Sequence, residues 1–93
     1  MTYGCMKYRK KPVLVDALRW TGANYADMET FLEFPHNGHF DIGSRLRIHT
    51  LKGTMTAIPG DWIVRGVAGE YYPVCDGIFQ KTYEPYEVML QPV

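Results

Sequence analysis

The sequence predicts a single small α+β domain built on an antiparallel sheet of about five or six strands. Residues 46–74 contain four short apolar-rich runs separated by glycine turns, which is the pattern of a β-meander. Residues 24–33 carry apolar side chains at helical spacing, and a shorter helical pattern covers residues 76–83. A chain of 93 residues can bury one modest core but not two, so residues 1–93 are expected to form one domain.

The first expected elements are a basic arm and a strand. In residues 1–11, four basic side chains are mixed with tyrosines, which would also suit phosphate contacts and base stacking on single-stranded nucleic acid. A solvated arm is the commoner role of such a segment. Residues 13–20 predict the first strand, with Leu14, Leu18 and Trp20 on its packed face.

A helix is expected over residues 24–33. Asn24 can cap its first turn, because a side-chain oxygen there accepts a hydrogen bond from a free backbone N–H. Met28, Phe31 and Leu32 fall on one stripe that would face the sheet.

Residues 36–39 are expected to form a loop. Their HxxH spacing, with Asp41 two residues further on, supplies three groups that can ligate a metal ion. Three ligands in one loop, without a cysteine or a group to orient them, make a weak pattern. We therefore predict no metal site and no cofactor.

The first strand of the meander carries the candidate binding residues. Arg45, Arg47 and His49 alternate with apolar residues, so they should share a face exposed to water. Arg65, on a later strand of the same expected sheet, would add a fourth cationic group to this row. A solvated face without a ligand is the simpler alternative.

The Pro59-Gly60-Asp61-Trp62 corner is expected to be structural. Proline fixes φ at the second position of a turn, and glycine accepts the positive φ required at the third, so a type II turn is predicted. Trp62 begins the next strand and is expected to be a core residue, more so than Trp20.

The chain ends with a short helical segment and a strand. Asp76 is expected to cap the helical turn over residues 76–83, and Glu84-Pro85 ends it. Residues 86–90 alternate sufficiently to form a closing strand.

Composition narrows the functional classes. Ten basic and ten acidic residues give a net charge of zero, so no global field attracts the chain to nucleic acid or to an anionic membrane. The apolar runs are too short to span a bilayer, and no secretory signal pattern opens the chain, so a cytoplasmic location is expected. Cys5 and Cys75 have neither CxxC nor zinc-site spacing and are expected to be free thiols.

Several segments form a pattern that covers most of the chain: KYRKKPVLVDALRWTG near the start, PGDWIVRGVAGEYYPV in the meander, then IF and KTYEPYEV. Together they resemble a family of small phage and prophage proteins that share a pattern like KPxxVxAxxWTG…TLEGxMxAxPGDWIIRGVxGEFYPxxxxIFxxTYE. Lys52 stands where the family often has glutamate, and Tyr71 where it often has phenylalanine. The resemblance implies a phage-encoded accessory protein acting in the bacterial cytoplasm, and it implies no particular activity.

The motif content argues against an enzyme. The sequence has no phosphate-binding glycine loop, nucleophile elbow, HExxH or CxxC motif. A catalytic group made of His49, Asp61, Arg65 and Glu70 would have to be assembled across several strands, and each of these residues has a simpler structural role in a turn or on a strand surface.

A module that binds a host or phage protein is the preferred hypothesis, because the tryptophans and tyrosines offer rigid rings that suit protein interfaces. An exposed sheet edge or face would also let the chain form a homo-oligomer. One alternative is a sponge for nucleotide second messengers of anti-phage defence, with Arg45, Arg47 and Arg65 on the phosphates. A nucleic-acid-binding module is the second alternative.

Overall fold

The computed structural model describes Lys7 and residues 12–86. The α+β class predicted from the sequence is confirmed, with six strands and two helices in this part of the chain. No helix within the described residues is long and apolar enough to cross a membrane. In chain order the elements are β1 (Asp16–Arg19), α1 (Tyr25–Leu32), β2 (Gly38–Asp41), β3 (Arg45–Thr50), β4 (Gly53–Ala57), β5 (Trp62–Arg65), β6 (Tyr71–Val74) and α2 (Asp76–Thr82).

The six strands form two antiparallel sheets rather than the one continuous meander expected. Sheet I has the strand order β1-β5-β6, and sheet II has the order β2-β3-β4. The expected meander is divided at Pro59-Gly60, because this turn bonds to the end of β1. The Gly60 N–H donates to the Trp20 carbonyl at 2.7 Å, and the Trp20 N–H donates to the Asp61 carbonyl at 2.8 Å. These bonds place β5 beside β1 instead of beside β4.

The turn that divides the sheets has the geometry expected of a glycine corner. Gly60 has a φ of +103°, which is the left-handed region that glycine adopts without strain. The Asp61 N–H donates to the Ile58 carbonyl at 3.0 Å, and the Asp61 carboxylate accepts from the Ile58 N–H at the same distance. Backbone and side chain of Asp61 therefore hold the turn together.

The core lies between the two sheets and α1, with the fully buried Trp20 at its centre. Its indole stacks on Phe40 of β2 at a centroid distance of 5.4 Å and meets Tyr25 of α1 edge-on at 5.2 Å. The indole N–H donates to the Ser44 carbonyl at 2.7 Å. The other buried members of this cluster are Met28, Leu32, Leu46, Ile48, Ala57, Ile63 and Tyr71.

The apolar stripe expected on α1 is confirmed, since Met28 and Leu32 are buried in the core. The expected side-chain cap is wrong. Asn24 occupies the N-cap position, but its side-chain oxygen Oδ1 accepts from the Thr21 N–H at 2.9 Å. Its side-chain amide donates to the Arg19 carbonyl at 2.8 Å. Asn24 therefore fastens the β1–α1 connection rather than the first helical turn.

The loop expected at residues 36–39 ends at Gly38, where β2 begins. Pairing with β3 points Phe40 toward the core, where it packs partly buried. A Cβ at residue 38 would lie 2.6 Å from the Arg47 carbonyl oxygen, so glycine is needed for the close approach of β2 and β3.

Helix α2 packs on the outer face of sheet I. Trp62 stacks on Phe79 with the rings 4.1 Å apart and nearly parallel, and its indole N–H donates to the Asp76 carboxylate at 2.9 Å. This bond, more than any other contact, lowers the pKa of Asp76. The expected helix cap at Asp76 is wrong, because Cys75 holds the N-cap position and Asp76 is the first residue of the helix. Trp62 is half-buried here, so the core tryptophan is Trp20 and not Trp62.

The ends of the described chain depart from the sequence prediction. Leu14, expected on a packed face, is 62 % exposed because β1 begins only at Asp16. Tyr86 belongs to no regular element, and the remainder of the strand expected at residues 86–90 lies outside the described residues. The basic arm expected at residues 1–11 lies outside them as well, apart from Lys7.

Gly60→Val should lower the free energy of unfolding by more than about 1 kcal/mol, because a β-branched side chain is strained at a positive φ. Gly77→Ala is the control, since a Cβ at residue 77 meets open space and alanine favours the helix. Denaturant unfolding of both variants and the wild type measures the difference. An unchanged midpoint for Gly60→Val would show that the turn does not require glycine.

Candidate functional site

The candidate site is the outer face of sheet II. Leu46 and Ile48 of β3 are buried in the core, so Arg45, Arg47 and His49, which alternate with them, point away from it. The antiparallel register places the cross-strand neighbours of these residues on the same side of the sheet. All side chains on this side are exposed, except that of Arg47, which is half-buried. We call this surface the polar face. Its members are His39, Asp41, Arg45, Arg47, His49, Thr54 and Thr56.

Arg47 lies at the centre of the polar face and is held by both neighbouring strands. Its Nε–H donates to the Asp41 carboxylate on β2 at 2.9 Å, and its Nη1 donates to the Thr56 hydroxyl on β4 at 2.7 Å. The guanidinium is therefore fixed in one orientation across the sheet. A fixed arginine loses less conformational entropy when it binds a ligand than a free one does.

Asp41 sets the charge of the polar face. The Ile42 N–H donates to its carboxylate at 2.7 Å, and this bond together with the Arg47 guanidinium lowers the pKa of Asp41. Asp41 is thus ionised at neutral pH and offsets one of the two arginines. Two arginines against one aspartate leave the face with a net positive charge even when both of its histidines are neutral.

The two histidines of the polar face lie side by side. The rings of His39 and His49 are 5.6 Å apart between centroids, and Nδ1 of His49 lies 3.1 Å from the His36 carbonyl oxygen. A proton on Nδ1 makes this contact a hydrogen bond and leaves Nε2 of His49 as an acceptor. Protonation of either ring adds positive charge to a face that is already cationic.

Arg65 does not join the polar face. It lies on β5 in sheet I, forms an ion pair with Asp16, and places its guanidinium carbon 5.6 Å from the centre of the Phe31 ring. The hydrogen bond to Asp16 raises the pKa of Arg65. The structure therefore brings together Arg45, Arg47 and His49 of the expected row and separates Arg65 from them, because the strands belong to two sheets.

The catalytic group considered for His49, Asp61, Arg65 and Glu70 is not assembled. Asp61 holds its own turn and Arg65 pairs with Asp16. His49 and Glu70 share the lining of a cleft of about 280 Å³ between the end of β3 and the β5–β6 turn. The Glu70 carboxylate folds back into the space above Gly66, and its buried Oε2 has no hydrogen-bond partner among the described residues.

Metal ligation has no support in the part of the chain that the structure describes. There, no three side chains from His, Cys, Asp and Glu are placed to hold a metal ion. His39 of the HxxH segment and Asp41, two residues further on, lie on the same face of β2, and Asp41 bonds to Arg47 instead of a metal ion.

Sequence reasoning missed His39, Asp41, Thr54 and Thr56 as members of the site. The available signal was the alternation in Gly38–Asp41, where Phe40 stands between two polar residues. Four residues make too short a pattern to distinguish a strand from a loop without knowing that β3 lies beside it.

Comparison of the chain with protein-family models, with curated proteins and with solved structures finds no match. The resemblance to a phage protein family therefore stays a prediction. The case for a function depends on the geometry and charge of the polar face.

Arg47→Met should raise the pKa of Asp41, because the guanidinium hydrogen bond is lost. The pKa should stay below its ordinary value of 3.8, since the Ile42 N–H, the larger cause, remains. Carboxyl NMR titration measures this, and Arg45→Met, which removes the arginine opposite Asp41 in the register, is the matched control with a smaller effect.

The same change alters the pH dependence of stability. A lowered folded-state pKa contributes stability that is present above pH 3.8 and is lost as the pH falls through the folded-state pKa. Arg47→Met should therefore lose less of its free energy of unfolding than the wild type does as the pH falls below 3.8. Identical Asp41 titrations in the wild type and Arg47→Met would show that the ion pair does not form in solution.

Proposed function

We propose that the protein is a phage- or prophage-encoded accessory protein that binds an acidic segment of a host or phage protein in the bacterial cytoplasm. The polar face is its binding surface. The observation that carries this proposal is the row of Arg45, Arg47 and His49 on an open sheet face, with Arg47 fixed by bonds to both flanking strands.

The spacing of the row suits an extended peptide. Side chains on one face of a strand repeat every ~6.8 Å, so Arg45, Arg47 and His49 form a row roughly 13 Å long. Alternate side chains of an extended peptide have the same repeat. A segment with acidic or polar residues at alternate positions can therefore meet all three groups at once.

The chemistry of the row suits carboxylates. Arg45 is exposed, and a guanidinium can hold a carboxylate through two parallel hydrogen bonds. The hydroxyl of Thr54 and the imidazole of His49 lie opposite each other and add hydrogen-bonding groups that favour one partner over another. Because these contacts are exposed and charged, binding should weaken as the ionic strength rises.

The two alternatives receive less support from the geometry. A nucleotide sponge needs the arginines to converge on one ligand, yet Arg65 lies on the other sheet and is paired with Asp16. Single-stranded nucleic acid needs rings for stacking, and the described polar face offers two imidazoles together with the anionic Asp41.

Arg45→Gln should reduce recovery of the partner in pull-downs from host lysate by about tenfold, the effect of losing a charge-assisted hydrogen bond worth about 1.5 kcal/mol. Glutamine removes the charge without placing a negative group opposite Asp41. Lys81→Gln on α2 is the matched control and should recover the partner at the wild-type level. Quantitative mass spectrometry, after a thermal unfolding check of each variant, gives the measurement.

Two results would count against the proposal. Equal recovery of the same proteins by the wild type and both variants would remove the polar face as the interface. Recovery that disappears after nuclease treatment would identify the protein as a nucleic-acid-binding module.

A further inference from the structure

The two sheets present four edge strands, and three of them carry residues that oppose pairing with another strand. β1 begins with Asp16 and ends with Arg19, β2 ends with Asp41, and β6 contains Pro73, which has no N–H. β4 has the sequence Gly-Thr-Met-Thr-Ala, without charge or proline, and its first four residues are exposed. Among the described edges, β4 is the one without such protection.

The register of β4 with β3 decides which backbone groups face outward. The hairpin closes with Thr50 opposite Gly53, and bonded and non-bonded pairs alternate from there. The His49 N–H donates at 3.0 Å to a carbonyl on the β2 side, so its partner Thr54 belongs to a non-bonded pair. Two residues further along β4, Thr56 and its partner Arg47 also form a non-bonded pair. The N–H and C=O groups of Thr54 and Thr56 therefore point away from β3, to an edge at which no described strand pairs.

These outward-facing groups match those of a second copy of the same strand. When two β4 strands run antiparallel about a two-fold axis at Met55, Thr54 of each copy lies opposite Thr56 of the other, and each such pair exchanges two backbone hydrogen bonds. Met55 then lies opposite itself in a non-bonded pair, where side chains come closest. The two-fold axis makes the two outer pairs identical, and because residues 54 and 56 are both threonine, each pair brings two β-branched side chains together.

We propose that this chain forms a homodimer through β4, with Met55 on the two-fold axis, so that two copies of sheet II become one six-stranded sheet. The side chains at the contact suit this arrangement. Thr54 and Thr56 are β-branched and pair well across strands, and Met55, which is 44 % exposed, would be covered by its counterpart. An unrelated strand could meet the backbone groups, but it would lack the symmetry of the contact.

The dimer has a consequence beyond the proposed function, although it does not depend on that function. The polar faces of both copies would lie on the same side of the joined sheet. The two β3 rows would run roughly 14 Å apart, since three inter-strand spacings separate them. A ligand with two acidic segments could then bind both rows at once.

Cysteine cross-linking tests the register directly. In a full chain with Cys5→Ser and Cys75→Ser, Met55→Cys should form a disulfide-linked dimer under a mild oxidant, because Cα atoms of a non-bonded pair are about 4.5 Å apart and within disulfide range. Thr54→Cys and Thr56→Cys are the matched controls. Each would lie roughly 7–8 Å from its own counterpart, so cross-linking should be weak.

Sedimentation velocity tests the association of the natural chain. Between about 1 µM and about 1 mM, a range suited to a small interface, the wild type and Met55→Leu should shift from monomer to dimer. Met55→Lys should stay monomeric, because it places two like charges opposite each other.

Three outcomes would overturn the dimer. They are a wild type that is monomeric throughout this range, cross-linking that is equal at residues 54, 55 and 56, and an edge that takes up an unrelated extended peptide while the chain stays monomeric. If Met55→Lys fails to fold, the comparison of the three cysteine variants still decides the question.

Discussion

The two sheets and α1 depend on Trp20. Its backbone N–H and C=O bond to Asp61 and Gly60, which fixes β5 beside β1. Its indole donates to the Ser44 carbonyl in the β2–β3 turn and stacks on Phe40 of β2, which fixes sheet II against sheet I. A fully buried residue with these contacts couples elements far apart in sequence, so neither sheet has a complete core without the other.

The polar face is a consequence of this core. Once Leu46 and Ile48 are buried, the strand alternation sends Arg45, Arg47 and His49 to the opposite side. The pairing with β2 and β4 then surrounds Arg47 with hydrogen-bond acceptors, which turns a flexible side chain into a fixed cation. The same pairing leaves β4 at the edge of sheet II, with no described strand on its outer side. The core, the charged face and this edge thus follow from one register.

Sequence reasoning succeeded where the signal is local. The stripe on α1, the alternation in β3 and the positive φ of Gly60 are each decided by neighbouring residues, and the structure contains all of them. It failed where the outcome depends on distant partners. The division into two sheets comes from bonds between Trp20 and a turn forty residues away, and it also removes Arg65 from the expected row. The predicted cap at Asn24 failed for a local reason, because the Thr21 N–H occupies its side-chain oxygen while its amide donates to the Arg19 carbonyl.

Native-state hydrogen exchange of a Trp20→Phe variant tests most directly whether one residue couples both sheets. Phenylalanine loses the bond to Ser44 and leaves part of a fully buried site unfilled, which should cost about 2–3 kcal/mol. If Trp20 couples the sheets, the protection of the slowest amides in β3 and in β5 should fall by the same amount. Protection that falls in β5 while β3 keeps its wild-type value would contradict the account.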